Sequence, residues 1–325
     1  MLHRRAALAA SLTLPFAARH ARAAWPDRPV RCIIPFAAGG NLDTLIRIVA
    51  PGMSERLGQP LVIENRPGAG GNLGAEIVAR AAPDGYTVLV GSNGALTINP
   101  LIMKSVPFDP ARDFAAIGLG FRTPNVLVVS PKLPVGSLAE FIAYAKARPG
   151  QVTCGSAGTG TTNHLLMELL NAATGVSIVH VPYRSSGGGT PDLLSGALTC
   201  AMDQITTALP QHKEGMIRII GVGMPERMAI LPDVASFAEV GVEGGGMTSF
   251  IGMLVPAATP AEPRARLQQA FAGALAEPAV QARVEQIGNL MAKPEERTEA
   301  GFTALLVRER AVARQAVALA KMQPE

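Results

Sequence analysis

Eight short runs rich in Val, Ile and Leu recur along the chain with helix-length stretches between them: Val30 to Pro35, Leu61 to Glu64, Thr87 to Val90, Val126 to Val129, Val152 to Cys154, Ile178 to Val181, Leu198 to Met202 and Ile217 to Val222. Strands that alternate with helices pair in parallel, because each crossover helix packs back onto the sheet. The chain is therefore expected to be α/β. Its 325 residues supply apolar surface for about two cores, so two lobes with one cleft between them are expected. Helix signals agree with this. Ser137-Leu138-Ala139-Glu140 reads as a capping box, and its helix stops at Pro149-Gly150. Residues 162–174 read as a helix closed by Gly175, and Pro263 to Lys321 as two or three packing helices.

Two strand-to-helix junctions echo each other. One is Cys32 to Pro35, the loop Phe36-Ala37-Ala38-Gly39-Gly40-Asn41-Leu42-Asp43, and a helix from Thr44 to Leu57. The other is Val152 to Cys154, the loop Gly155-Ser156-Ala157-Gly158-Thr159-Gly160-Thr161, and the helix from Thr162. Each aims first-turn N–H groups and the positive end of a helix dipole at one spot, and glycine lets a ligand come close. Facing each other across a cleft, the two would grip an anion from both sides. Asp43 is expected to cap its helix. Neither loop carries G-x-x-x-x-G-K-[ST], and Gly155 to Gly160 has the wrong spacing for a dinucleotide fingerprint.

The formal charge of +4 is misleading, because residues 1–23 hold Arg4, Arg5, Arg19 and Arg22 and no acid. Without those four, 25 basic residues face 25 acidic ones. A neutral chain with 4% aromatics offers nucleic acid neither an electrostatic footprint nor stacking platforms. The same 23 residues have a basic start, an apolar run from Ala6 to Ala18 and the exit Ala21-Arg22-Ala23, the parts of a secretory signal cleaved before Ala24 by the Sec or the Tat route. No later segment has 18 consecutive apolar residues, so the mature protein is expected to be soluble in the periplasm. Cys32, Cys154 and Cys200 sit in apolar runs and read as small buried hydrophobes, with a Cys154 to Cys200 bridge as the alternative.

Metal chemistry finds no clustered ligands, since His164, His180 and His212 lie outside any metal-binding spacing. No metal and no cofactor are expected. His164 begins a helix with Glu168 four residues on, which suits either an anchor for the loop or a ligand contact. Ser156, His164 and Asp203 could form a hydrolytic site, but no G-x-S-x-G elbow accompanies them. Arg184 suits either a solvated surface or a carboxylate partner.

Trp25-Pro26-Asp27-Arg28-Pro29-Val30 leading into Pro35-Phe36-Ala37-Ala38-Gly39-Gly40, Glu64-Asn65-Arg66-Pro67-Gly68-Ala69-Gly70-Gly71-Asn72, Pro83-Asp84-Gly85-Tyr86-Thr87, Val181-Pro182-Tyr183 and Leu231-Pro232-Asp233-Val234 follow one another in order. With them the chain resembles the tripartite tricarboxylate transporter receptors, or Bug proteins. The resemblance covers nearly all of the mature chain. It implies a two-lobed, type II periplasmic-binding-protein or Venus-flytrap fold, each lobe a mostly parallel sheet flanked by helices, with two interlobe crossings. Lobe 1 is placed at 24–122 plus 248–325 and lobe 2 at 123–247. It implies a monomeric binding protein, not an enzyme, which captures a small carboxylate for membrane transporter subunits or a sensor kinase ectodomain. A hydrolase using Ser156 and His164 is the competing reading. Carried over by position, the ligand residues are Ala38, Gly39, Gly40, Asn41 and Asp43 in the first loop, and Ser156, Ala157, Gly158, Thr159, Gly160, Thr161 and His164 in the second. Ser92, Asn93, Tyr183 and Asp203 match secondary lining positions. Leu42 and Phe250 depart from the family's usual residues. Leu42 would narrow or re-aim the pocket.

Overall fold

The computed structural model describes residues 25–324, so the stretch read as a secretory signal lies outside the described residues. The first part of the chain runs β1 (Val30–Ile34), α1 (Asn41–Leu57), β2 (Leu61–Asn65), α2 (Asn72–Ala79), β3 (Thr87–Ser92), α3 (Asn99–Ile102) and β4 (Phe114–Val129). Next come α4 (Leu138–Lys146), β5 (Val152–Ser156), α5 (Thr162–Thr174), β6 (Ile178–Pro182), α6 (Thr190–Ser195), β7 (Cys200–Gln204), α7 (Ile205–Lys213) and β8 (Arg218–Val222). The chain ends with β9 (Thr248–Pro256), α8 (Ala261–Leu275), α9 (Pro278–Gln286), β10 (Leu290–Met291) and α10 (Glu299–Leu319).

One curled mixed sheet has the strand order β2-β1-β3-β9-β4-β7-β5-β6. The parallel cores expected from the alternation are present: β1 lies between β2 and β3, and β5 between β6 and β7. Between them run antiparallel strands that the sequence reading did not anticipate. β4 pairs with β9 from Phe114 to Pro124, then turns to β7 and β8 for Asn125 to Val129, so one strand serves both halves of the sheet. The chain passes from one half to the other along β4 and returns at the start of β9. Gly118, Gly120 and Gly252 make these strands unlike strands in sequence, and packing explains them. A Cβ at Gly120 would lie 2.7 Å from the Phe271 ring, and one at Gly252 would lie 2.4 Å from the Phe302 ring. The glycines let aromatic side chains from α8 and α10 sit directly on the sheet. Phe271 and Phe302 are fully buried, and each ring so placed contributes about 1.5–3 kcal/mol.

The predicted caps appear with one refinement. Ser137 Oγ accepts the Glu140 N–H, while the Glu140 carboxylate reaches one residue further back, to the Gly136 N–H at 2.6 Å. Gly175 ends α5 at φ 71°, where glycine takes the left-handed turn without steric cost. α10 packs Phe302, Leu305 and Leu306 into the core of the first half, and Ala313, Ala316, Val317 and Ala320 into that of the second. Cys32, Cys154 and Cys200 are buried and free, although Cys154 and Cys200 are register partners on β5 and β7.

Candidate functional site

The two loops share an atomic pattern. In the first, α1 begins at Asn41, three residues before the expected Thr44. The cap residue is Gly40, so Asp43 is the third helical residue and not the cap as expected. Its carboxylate turns back to accept the N–H of Gly39, which has φ 78°, at 2.9 Å. In the second loop Thr161 caps α5, and the third helical residue is His164. Its Nδ1 accepts the N–H of Gly160, which has φ 76°, at 3.2 Å. Each loop is thus closed by a side chain from its own helix onto a left-handed glycine.

The acceptors differ in charge. Burial pushes the Asp43 carboxyl up, but hydrogen bonds from Arg47, the Gly39 N–H and Asn65 outweigh it and hold it below the usual carboxylate range. Asp43 Oδ2 is 2.9 Å from Arg47 Nε, and Oδ1 accepts from Asn65 Nδ2 at 3.0 Å. His164 stacks on His180 with ring centroids 4.0 Å apart, and burial together with that neighbour depresses it to about 3. Burial depresses His180 to about 4. Both imidazoles are neutral near pH 7. Ser156 Oγ lies 2.6 Å from His180 Nε2 and accepts the Gly158 N–H at 3.0 Å. The histidine on Ser156 is therefore His180, whereas the sequence grouping put His164 there.

Between the loops lies a narrow cavity of about 20 Å³, room for about one water, lined by Phe36, Asn41, Leu42, Ser92, Gly94, Ala157, Thr161, Thr162, Asn163, Ser186, Gln204 and Ser249. Of the residues expected at the ligand, Asn41, Ser92, Ala157 and Thr161 stand on its wall. Among the described residues no charged side chain lines it, yet three helices begin there: α1 with Asn41 and Leu42, α5 with Thr161 to Asn163, and α7 with its cap Gln204. The amides of Leu42, Thr162 and Asn163 have no acceptor among the described residues. Free first-turn amides and aligned helix dipoles favour an anion. Phe36, Leu42 and Ala157 supply the apolar part of the wall.

Two open pockets flank this cavity. One, with Gly158, Thr159, Tyr183 and Arg184, faces Gly68 to Gly71. The other holds Ala38, Gly39 and Ser185 to Gly188. Several expected ligand residues use their side chains elsewhere. Asn93 Oδ1 accepts the Phe250 N–H at 2.8 Å, and Phe250 itself is in the core against Phe302. The Tyr183 hydroxyl donates to Asp192 at 2.5 Å. Asp203 accepts from the Gly187 N–H, the Gln204 N–H and the Thr207 hydroxyl, and so pins the loop after Arg184. Burial raises its carboxyl against those three bonds. Ser186, Gln204, Ser249, Thr162 and Asn163 are not among the ligand residues expected from the sequence.

The halves of the sheet touch directly around the cavity. The Ala37 N–H donates to Arg184 O at 3.1 Å, the Asn41 N–H donates to Ser186 Oγ at 2.9 Å, and the Thr206 hydroxyl donates to Asn41 Oδ1. Gly70 lies so close to the second loop that a Cβ there would be 2.1 Å from Thr159 O. A Cβ at Gly94 would meet Gly70 O at 2.7 Å. Gly70 of the Glu64 to Asn72 stretch thus serves the approach of one half to the other, whereas a Cβ at Gly68 or Gly71 would meet Leu73 or Phe36 of its own half.

Comparison with known proteins bears on this geometry. Residues 45–311 match the family described as tripartite tricarboxylate transporter family receptor. The structure of the periplasmic binding protein BugD is similar at a TM-score of 0.88 and 30% identity, over 93% of this chain and 100% of that one. A protein of R. palustris solved with adipate is similar at 0.87 and 33% identity, over 93% and 100% of the two chains. MatC from Rhodopseudomonas palustris, solved with bound malate, is similar at 0.86 and 32% identity, over 90% and 100%. The fold is the two-lobed fold of periplasmic binding proteins. The chain belongs to the tripartite tricarboxylate transporter receptor family.

Proposed function

We propose that the protein is an extracytoplasmic solute-binding protein that closes on a small organic acid and presents it to the membrane subunits of a tripartite transporter. The lobes in this reading are 24–122 with 248–325, and 123–247, and the carboxylate sits in the cavity where their loops meet. One observation carries it: the N-termini of α1, α5 and α7, drawn from both halves, converge on a cavity with no charged side chain. Neutral dipoles suit a receptor that must release its cargo, since a buried ion pair is strongly destabilised when one partner leaves. Adipate and malate, held by two similar structures, set the ligand class to test first. Ala38 and Gly39 contribute backbone and room to one flanking pocket, and Gly158 and Thr159 to the other.

A thermal-shift screen of mature protein against small acids and their amides tests this. An acid at about 100 times its dissociation constant stabilises by about 2.7 kcal/mol and raises the midpoint, whereas its amide does not. Equal shifts with the amide, or none with any acid, would remove the carboxylate reading. Loss of the acid from solution over hours would point to turnover instead.

A further inference from the structure

We propose that the stacked imidazoles of His164 and His180 are the positioning residues of the second ligand loop, holding its two ends through ring nitrogens without touching the ligand. The proposal rests on the reading of that loop as a ligand site. At the start of the loop, Ser156 Oγ accepts the Gly158 N–H at 3.0 Å and lies 2.6 Å from His180 Nε2. At its end, the Gly160 N–H donates to His164 Nδ1 at 3.2 Å, so that nitrogen presents a lone pair. The rings lie 4.0 Å apart and 14° from parallel, so one stack holds both ends. His164 is buried and lines a rear cavity with Thr159, Glu168 and Lys321, apart from the ligand cavity.

The first loop shows why the acceptor is an imidazole. There the equivalent residue is Asp43, whose charge is answered by Arg47 Nε at 2.9 Å. Around His164 the ionisable groups among the described residues are His180 on β6, Glu168 on its own helix and Lys321 across the rear cavity, with no arginine among them in Arg47's role. A carboxylate at 164 would set a second negative charge beside a bound anion. A neutral imidazole closes the loop at no electrostatic cost to the ligand.

The test is calorimetric titration of malate and adipate into folded variants, with histidine ¹⁵N spectra of the wild type. The spectra are expected to show His164 protonated at Nε2 and bare at Nδ1. His164→Leu and His180→Phe remove these ring nitrogens and are expected to weaken binding by about tenfold, the loss of one buried hydrogen bond. His164→Asn and His180→Gln return a hydrogen-bonding amide near Nδ1 and Nε2 respectively and are expected to recover most of that loss. His164→Asp is expected to bind more weakly than His164→Asn. Leu and Phe variants that bind like wild type would overturn the proposal, as would Asn and Gln variants no better than Leu and Phe. If the wild type binds neither acid while the spectra stand, the failure lies with the ligand-loop reading, and the proposal falls with it.

Discussion

Gly70→Ala should separate closure from folding. Gly70 has φ 60°, and alanine in that left-handed region costs about 1 kcal/mol wherever it occurs. The added methyl would also lie 2.1 Å from Thr159 O, more than 1 Å inside ordinary contact. That clash exists only while the two halves are together. Overpacking of this kind costs about 1–3 kcal/mol, so ligand affinity should fall about 5- to 150-fold. Gly58→Ala is the control: φ is 70°, and no atom lies within 4 Å of the new Cβ. Both variants should lose about 2 °C in the midpoint of unfolding for each kcal/mol of backbone strain. Only Gly70→Ala should bind malate or adipate more weakly by calorimetry. It should also give a larger radius of gyration with ligand by X-ray scattering. Equal affinities for the two variants would refute the argument, because the contact between Gly70 and Thr159 would then not belong to the liganded state.

Three further outcomes follow from buried and paired groups. Hydrogen bonding to Arg31, against the cost of burial and with Arg66 adding, holds Glu64 down to about 2. Its stabilising effect is complete above the unfolded value of 4.5 and is lost as pH falls toward 2, so Glu64→Gln should flatten that limb of urea-measured stability; an unchanged limb would sink the assignment. His164 and His180, near 3 and 4 when folded against 6.5 unfolded, make the unfolded chain bind more protons between those values. Stability should fall as pH drops from 6.5 toward 4, with a shallower slope in His180→Phe, and parallel slopes would count against the depressed values. Cys32, whose thiol burial pushes up to about 12, and the buried Cys154 and Cys200 should be silent to a thiol reagent in the native protein. All three should react after unfolding without reductant, whereas one reactive thiol would mean that Cys154 and Cys200 had bridged.

Much of the fold was legible where local chemistry settles local structure. The Ser137 cap, the Gly175 stop and the strand-loop-helix echo all depend on neighbours in sequence, and all are present. β9 and the first half of β4 were not legible, because Gly118, Gly120, Pro124 and Gly252 suppress a strand pattern. They are strands because Phe271 and Phe302 arrive from helices far along the chain to fill the gaps. The site divides in the same way. Asn41, Ala157 and Thr161 could be read from their loops, whereas Ser186, Gln204 and Ser249 reach the cavity only through the pairing of distant strands. His164 was grouped with Ser156 because it is near in sequence. The parallel pairing of β5 with β6 brings His180 there instead.

α10 bears on how such a molecule opens. A helix of 21 residues is about 30 Å long, enough to reach across both cores. It enters the first with Phe302, Leu305 and Leu306, and the second with Ala313, Ala316, Val317 and Ala320. Withdrawing a buried Phe or Leu costs about 1.5–3 kcal/mol, and exposing one methyl costs about 0.8 kcal/mol. The helix therefore holds to the first core and gives way at its alanine end, where small side chains also have the least to interlock. Any opening is therefore expected to leave Phe302, Leu305 and Leu306 seated and to part the last turns of α10 from the second core. At the cleft, the contacts of Ala37 with Arg184, Asn41 with Ser186, and Gly70 with Thr159 would part with a small separation of the halves.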